Sequence, residues 1–93
     1  MNRCIVQLFG LPREITELRE VEVELKDGAN LGDVIAALRR EIPALEGNVI
    51  RAREDRLIEN YGFNINGRFY LNNEEVQLKD GDHIALLTLA TGG

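Results

Sequence analysis

The residues best placed to do chemistry are the final pair, Gly92-Gly93, the second of which carries a backbone carboxylate. Glycine lacks a Cβ and adopts backbone conformations that other residues avoid, so a Gly-Gly end stays flexible and fits where a side chain would clash. The pair follows an apolar run over residues 84–91. Two interpretations are open: a carboxylate that is presented to another protein, or a frayed terminus without a role.

Two other reactive side chains, Cys4 and His83, are better explained as structural residues. Cys4 alternates in phase with Val6 and Leu8, which predicts a small core residue rather than a sulfur-handling one. His83 opens a strand after a turn, and no acidic or thiol partner is indicated for it, so we expect a solvated side chain. One cysteine and one histidine cannot supply a four-ligand metal site, which predicts a metal-free protein in a reducing compartment.

The charged residues do not indicate a catalytic or nucleic-acid site. Glu20, Glu22 and Glu24 alternate along one strand face, where nothing would desolvate a carboxylate pair, so we expect a solvated surface. The net charge of −5 argues against sequence-independent binding to nucleic acid. The basic pair Arg39-Arg40 is too short to provide such binding. The charge does permit a partner with a basic docking surface.

Length and composition indicate one small folded domain. The 93 residues are 44% hydrophobic and 29% charged, which predicts a single domain over residues 1–93 with a flexible tail at residues 90–93. A domain of this size has little room for a deep cleft, so we do not expect an enzyme. No apolar run approaches the ~20 residues of a membrane span, and no signal-peptide pattern is present, which predicts a cytoplasmic protein.

The first half of the chain predicts a hairpin followed by a helix. Strands are expected over residues 4–9 and 20–25, antiparallel and joined by a turn at residues 10–12. Asn30 stands three residues before Asp33, a loose capping arrangement, and apolar residues then recur at helical spacing. Pro43 should end this helix within a residue or two of position 42.

The middle of the chain is less regular. Residues 45–60 show no clear period, and Leu57, Ile58 and Tyr61 could anchor a short helical turn or simply pin a loop. Asn66-Gly67 favours a tight hairpin turn between two short strands within residues 63–69. Further turns are expected at residues 72–73 and 79–82, with Val76 and Leu78 as core candidates between them.

The last predicted strand, residues 83–89, is apolar on both faces. Ile84 and Leu86 share one face, and the other carries Ala85, Leu87 and Leu89. If one face packs on the helix, the other is left as a surface for a partner. Partial cover by a loop is the alternative.

This order of elements is that of an α+β fold, the β-grasp (ubiquitin-like) domain, with a mixed sheet of four to five strands packed on one main helix. Several stretches resemble the ubiquitin-like sulfur carriers, most of all the MoaD type, which is the small subunit of molybdopterin synthase, and more distantly the thiamine carrier ThiS. The stretches are Leu8-Phe9-Gly10-Leu11-Pro12-Arg13-Glu14, Leu31-Gly32-Asp33-Val34, Ile65-Asn66-Gly67-Arg68, Leu78-Lys79-Asp80-Gly81-Asp82-His83-Ile84-Ala85 and Gly92-Gly93.

The resemblance implies a carrier or co-substrate, not a catalyst. In the family, a separate MoeB/ThiF-type adenylyltransferase uses ATP to adenylate the terminal carboxylate, here that of Gly93 beside Gly92. The adenylate is then converted to a thiocarboxylate that donates sulfur, for molybdopterin through a MoaE-type large subunit, and the carrier itself binds no cofactor. The positions Phe9 and Leu87 match family contacts with these partners, and Leu89 and Thr91 are expected to join them.

Two departures from the family leave alternatives open. Residues 45–60 form a longer segment than the family usually carries, and this segment could cover Phe9. Leu89-Ala90-Thr91 replaces the usual proline-containing approach to the glycines. A protein modifier conjugated to target lysines, or a β-grasp binding module with an inert tail, would present much the same sequence.

Overall fold

The computed structural model describes residues 2–70 and 76–88, in which five strands, two α-helices and one 3-10 turn occur. The predicted turn at residues 72–73 lies outside this part of the chain. The elements in chain order are β1 Asn2–Leu8, α1 Leu11–Thr16, β2 Glu20–Leu25, α2 Leu31–Glu41, the 3-10 turn Pro43–Leu45, β3 Tyr61–Ile65, β4 Arg68–Tyr70 and β5 His83–Thr88.

The strands form one mixed sheet in the order β2-β1-β5-β3-β4. β1 pairs antiparallel with β2 and parallel with β5, and β3 pairs antiparallel with both β5 and β4. The last described strand, β5, therefore lies at the centre of the sheet, between the two hairpins. This is the predicted α+β β-grasp arrangement, with α2 as its main helix.

The connection between β1 and β2 differs from the sequence prediction. The antiparallel pairing is confirmed, but the chain forms the short helix α1 where only a turn was expected. Gly10 enters the helix with a φ of 64°, and Pro12 in the first turn supplies a φ suited to a helix start. Thr16 then donates its hydroxyl to the Pro12 carbonyl at 2.9 Å. Six residues are too few to show a helical period, which is why the pattern predicts only a turn.

The helix α2 follows the prediction closely. Asn30 and Asp33 form a full capping box, in which each side chain accepts the other residue's backbone N–H, at 3.0 and 2.9 Å. The helix ends at Glu41, just before Pro43. Neither α2 nor α1 has the length and apolar content that a membrane-spanning helix requires, and the rest of the described chain contains no such helix either.

A single buried cluster joins the inward face of the sheet to α2. Phe63 on β3 is its largest fully buried side chain, and Cys4, Val76 and Leu78 take the core or near-core places predicted for them. Burying each large side chain of this kind contributes about 1.5–3 kcal/mol. The sheet therefore has one face sealed against the helix, and function must use the other face or the sheet ends.

The segment over residues 45–60 is a pinned loop rather than a helix. Four of its apolar side chains enter the core, namely Leu45, Val49, Ile50 and Leu57, and Ile50 makes isolated β-bridges to Glu46 and Leu57. From α2, Arg39 donates to Asp55 at 2.8 Å and to the Glu54 carbonyl, and its Nε lies 3.3 Å from Glu46. This clamp holds the polar side of the loop against the helix.

Candidate functional site

The site of interest is the C-terminal end of β5. Thr88, the last residue of β5, pairs with Tyr61 of β3 on one side. On the other side its Oγ1 would lie 3.6 Å from a Cβ at Gly10. The predicted residues Leu89, Thr91, Gly92 and Gly93 lie beyond this point, outside the described part of the chain.

The strand β5 has the two apolar sides that its sequence predicts. Ile84 and Leu86 are fully buried in the core, whereas Ala85 and Leu87 are partly exposed on the opposite side, which we call the outward face. Leu87 pairs with Gly62 of β3, which is itself buried. The outward face of β5 is therefore apolar and partly exposed near Thr88.

Phe9 adds an aromatic ring to the same place. Its backbone N–H donates to the Leu86 carbonyl at 3.2 Å, so it continues the strand alternation of β1 and lies on the outward face next to Leu87. The ring is 45% exposed. The alternative in which residues 45–60 cover Phe9 is wrong, because the apolar side chains of that segment turn into the core instead. Phe9 and Leu87 are thus brought together as predicted.

The sequence pattern does not single out Phe69, although the structure gives it a similar position. Phe69 on β4 is 53% exposed and pairs with Asn64 of β3, which in turn pairs with Ala85 of β5. These three residues form a row across the outward face. The sequence signal that could have found Phe69 is the two-residue turn at Asn66-Gly67, which pairs Phe69 with Asn64. Together with the apolar second face of β5, this pairing indicates that Phe69 lies on the outward face.

The opposite half of the outward face is acidic. Glu20, Glu22 and Glu24 are exposed on β2, an edge strand, and Glu22 lies 3.7 Å from Arg3 of β1. The exposure of all three side chains confirms a solvated surface rather than a desolvated catalytic pair. A partner that covers the whole face would meet an aromatic and aliphatic half beside an acidic half.

Cys4 and His83 have the structural roles predicted for them. The Cys4 side chain is fully buried, and its thiol donates to the Lys79 carbonyl at 3.5 Å. Burial, with a smaller contribution from the carboxylate of Asp82, raises the pKa of this thiol, so it stays protonated and unreactive at neutral pH. His83 is exposed at the start of β5, the end of the strand away from Thr88.

The neighbours of Thr88 differ on its two flanks. Tyr61, opposite Thr88, is buried, and burial raises the pKa of its phenol, which therefore stays protonated at neutral pH. On the other flank, Gly10 lines one pocket with Arg13, Glu14, Glu17 and Arg19, so charged side chains of both signs lie near this end of the sheet.

Comparison with known proteins identifies the family of this chain. The model of the ThiS family matches residues 6–93. The molybdopterin synthase sulfur carrier subunit of Chlamydomonas reinhardtii is 30% identical over 88 residues, which is 95% of each chain.

Among solved structures, the chain resembles small archaeal modifier protein 1 from two archaea. The Haloferax volcanii protein is 27% identical with a TM-score of 0.80, over 97% of this chain and all 100% of the other. The Methanosarcina acetivorans protein is 29% identical with a TM-score of 0.76, over 100% and 98% of the two chains. Since the family model matches nearly the whole sequence, the chain belongs to the ThiS family of ubiquitin-like sulfur carriers.

Proposed function

We propose that this protein carries sulfur as a thiocarboxylate on the C-terminal carboxylate of Gly93. The observation that carries the proposal is the family match, which runs through residue 93 and so includes the Gly92-Gly93 tail as well as the folded domain. The relative from Chlamydomonas reinhardtii is named as a sulfur carrier subunit. The exposed Phe9 and the partly exposed Leu87 near Thr88 support a protein that binds several partner proteins in turn.

The chemistry requires activation because a carboxylate oxygen is a poor leaving group at neutral pH. In the proposed sequence, a MoeB/ThiF-type adenylyltransferase joins the Gly93 carboxylate to the AMP part of ATP and releases pyrophosphate. Hydrosulfide from a sulfur donor then attacks the carbonyl carbon, the bond to AMP breaks, and loss of the S–H proton leaves the thiocarboxylate. ATP belongs to the partner enzyme, and the carrier needs no cofactor of its own.

The proposed docking surface is the apolar half of the outward face. Phe9 and Leu87 form its described centre, Phe69 extends it toward β4, and Leu89 and Thr91 are proposed to continue it along the tail. Aromatic and aliphatic anchors of this kind dominate the energetics of protein interfaces. We propose that the activating enzyme and a MoaE-type large subunit use this surface in turn, so that the sulfur serves molybdopterin synthesis.

A reconstituted reaction tests the proposal. The purified chain, an activating enzyme of this type, ATP and a sulfur donor are incubated together, and the intact mass of the chain is measured. We expect the mass gain that corresponds to replacement of one carboxylate oxygen by sulfur, dependent on ATP. The proposal would be contradicted if the mass of this chain stayed unchanged while the same enzyme converted its own carrier protein in a parallel reaction.

A second function, protein modification, is favoured by the structural likeness to small archaeal modifier protein 1. A modifier would use the same activated carboxylate but would transfer its acyl group to a lysine amine, forming an isopeptide bond. The domain and its docking surface would serve either use. Conjugates of higher mass that contain this chain, and that disappear when the tail is removed, would identify the modifier.

A further inference from the structure

The turn between β3 and β4 contains Asn66-Gly67, the one Asn-Gly pair in the sequence. Such a pair can deamidate. The Gly67 backbone nitrogen attacks the side-chain carbonyl carbon of Asn66, a new N–C bond closes a succinimide ring, and ammonia leaves. Water then opens the ring to aspartate or isoaspartate. Both residues are exposed, so water can reach the turn.

One hydrogen bond opposes this reaction. The Gly67 N–H donates to Oδ1 of Asn64 at 2.9 Å. To attack Asn66, this nitrogen must lose its proton and direct its electron pair toward the Asn66 side chain. The bond to Asn64 holds this proton in place. The Gly67 nitrogen therefore cannot attack Asn66 while its hydrogen bond to Asn64 is present.

The strand holds Asn64 where this bond can form. Asn64 is half-buried in β3, paired with Phe69 on one side and Ala85 on the other. The turn residues also have positive φ values, 53° at Asn66 and 90° at Gly67, typical of the tight hairpin turn that places Gly67 over the preceding strand. We propose that Asn64 protects a latent deamidation site at Asn66.

Loss of this protection would alter the outward face. Isoaspartate places an extra methylene in the backbone of a two-residue turn whose twist matches its strands. The pairing of Ile65 with Arg68 would then shift, and Phe69 would move with β4. This consequence for docking depends on the proposed function, whereas the protection of Asn66 does not.

The test compares the full chain with three variants during prolonged incubation at mildly alkaline pH, without any partner. Asn64→Ala removes the acceptor oxygen, Asn64→Asp keeps one, and Phe69→Ala loosens the paired strand without touching the hydrogen bond. Deamidation at residue 66 is followed by peptide mass, which changes as NH2 is replaced by OH, and by enzymatic methylation of isoaspartate.

We expect Asn64→Ala to deamidate roughly two- to tenfold faster than the unmodified chain, the range in which loss of one neutral hydrogen bond changes an opening equilibrium. Asn64→Asp and Phe69→Ala should stay near the rate of the unmodified chain. Equal rates for Asn64→Ala and the unmodified chain would overturn the proposal. Equal acceleration in Asn64→Ala and Phe69→Ala would also overturn it, since hairpin opening would then control the reaction.

Discussion

A chain extended by a single alanine after Gly93 is expected to form no thiocarboxylate in the reconstituted reaction with its activating enzyme, ATP and a sulfur donor. The extension moves the carboxylate one residue farther from the folded domain and places a Cβ beside it. A site that accepts a slim glycine end would then meet a side chain, and the carboxylate oxygen would miss the position from which it attacks the α-phosphorus of ATP. The folded domain should be unaffected because the change lies outside the sheet.

The control for this prediction restores the original end. Treatment of the extended chain with a carboxypeptidase that removes the added alanine should return full conversion, which shows that the domain and its docking surface were intact throughout. Undiminished thiocarboxylate formation by the extended chain would contradict the expectation that activation requires a Gly-Gly end.

The substitution Leu87→Asp is expected to weaken binding to the activating enzyme by at least about 2 kcal/mol, or roughly 30-fold, the loss typical of a central interface anchor. Leu87 lies beside Phe9 on the outward face, where an interface would bury the introduced carboxylate without a partner. Aspartate is smaller than leucine and position 87 is partly exposed, so the free domain should accept the new side chain. Binding is measured by calorimetry and folding by thermal unfolding.

The substitution Ala44→Asp is the matched control. It adds the same charge at an exposed position in the 3-10 turn Pro43–Leu45, outside the sheet. We expect its affinity to equal that of the unmodified chain. Equal affinities for Leu87→Asp and Ala44→Asp would remove Leu87 from the interface.

The parts of the fold that the sequence predicts are those determined by neighbouring residues. The capping box of Asn30 and Asp33, the end of α2 before Pro43 and the Asn66-Gly67 turn all depend on local backbone preferences. Each can be recognised within a few residues of chain. The alternation of buried and exposed residues in β1 and β5 is also local, and it correctly placed Phe9 and Leu87 on one face.

The parts that the sequence does not predict depend on tertiary contacts. The loop over residues 45–60 has no period of its own because its shape comes from the Arg39 clamp and from Ile50 and Leu57 in the core. Phe69 joins the outward face only through the strand order, which brings β4 next to β3. For the same reason, the exposed apolar part of the outward face includes one more aromatic residue than the sequence predicted.

The central claim is that the Gly93 carboxylate carries sulfur, and the most direct measurement is the mass of the C-terminal peptide of the protein purified from its native cells. Alkylation of thiols and thiocarboxylates before digestion would trap the labile form, and fragmentation would locate the modified atom. We predict a C-terminal peptide in which sulfur replaces one oxygen of the Gly93 carboxylate. A C-terminal peptide that is found unmodified, under conditions in which a known thiocarboxylate standard survives, would contradict the account.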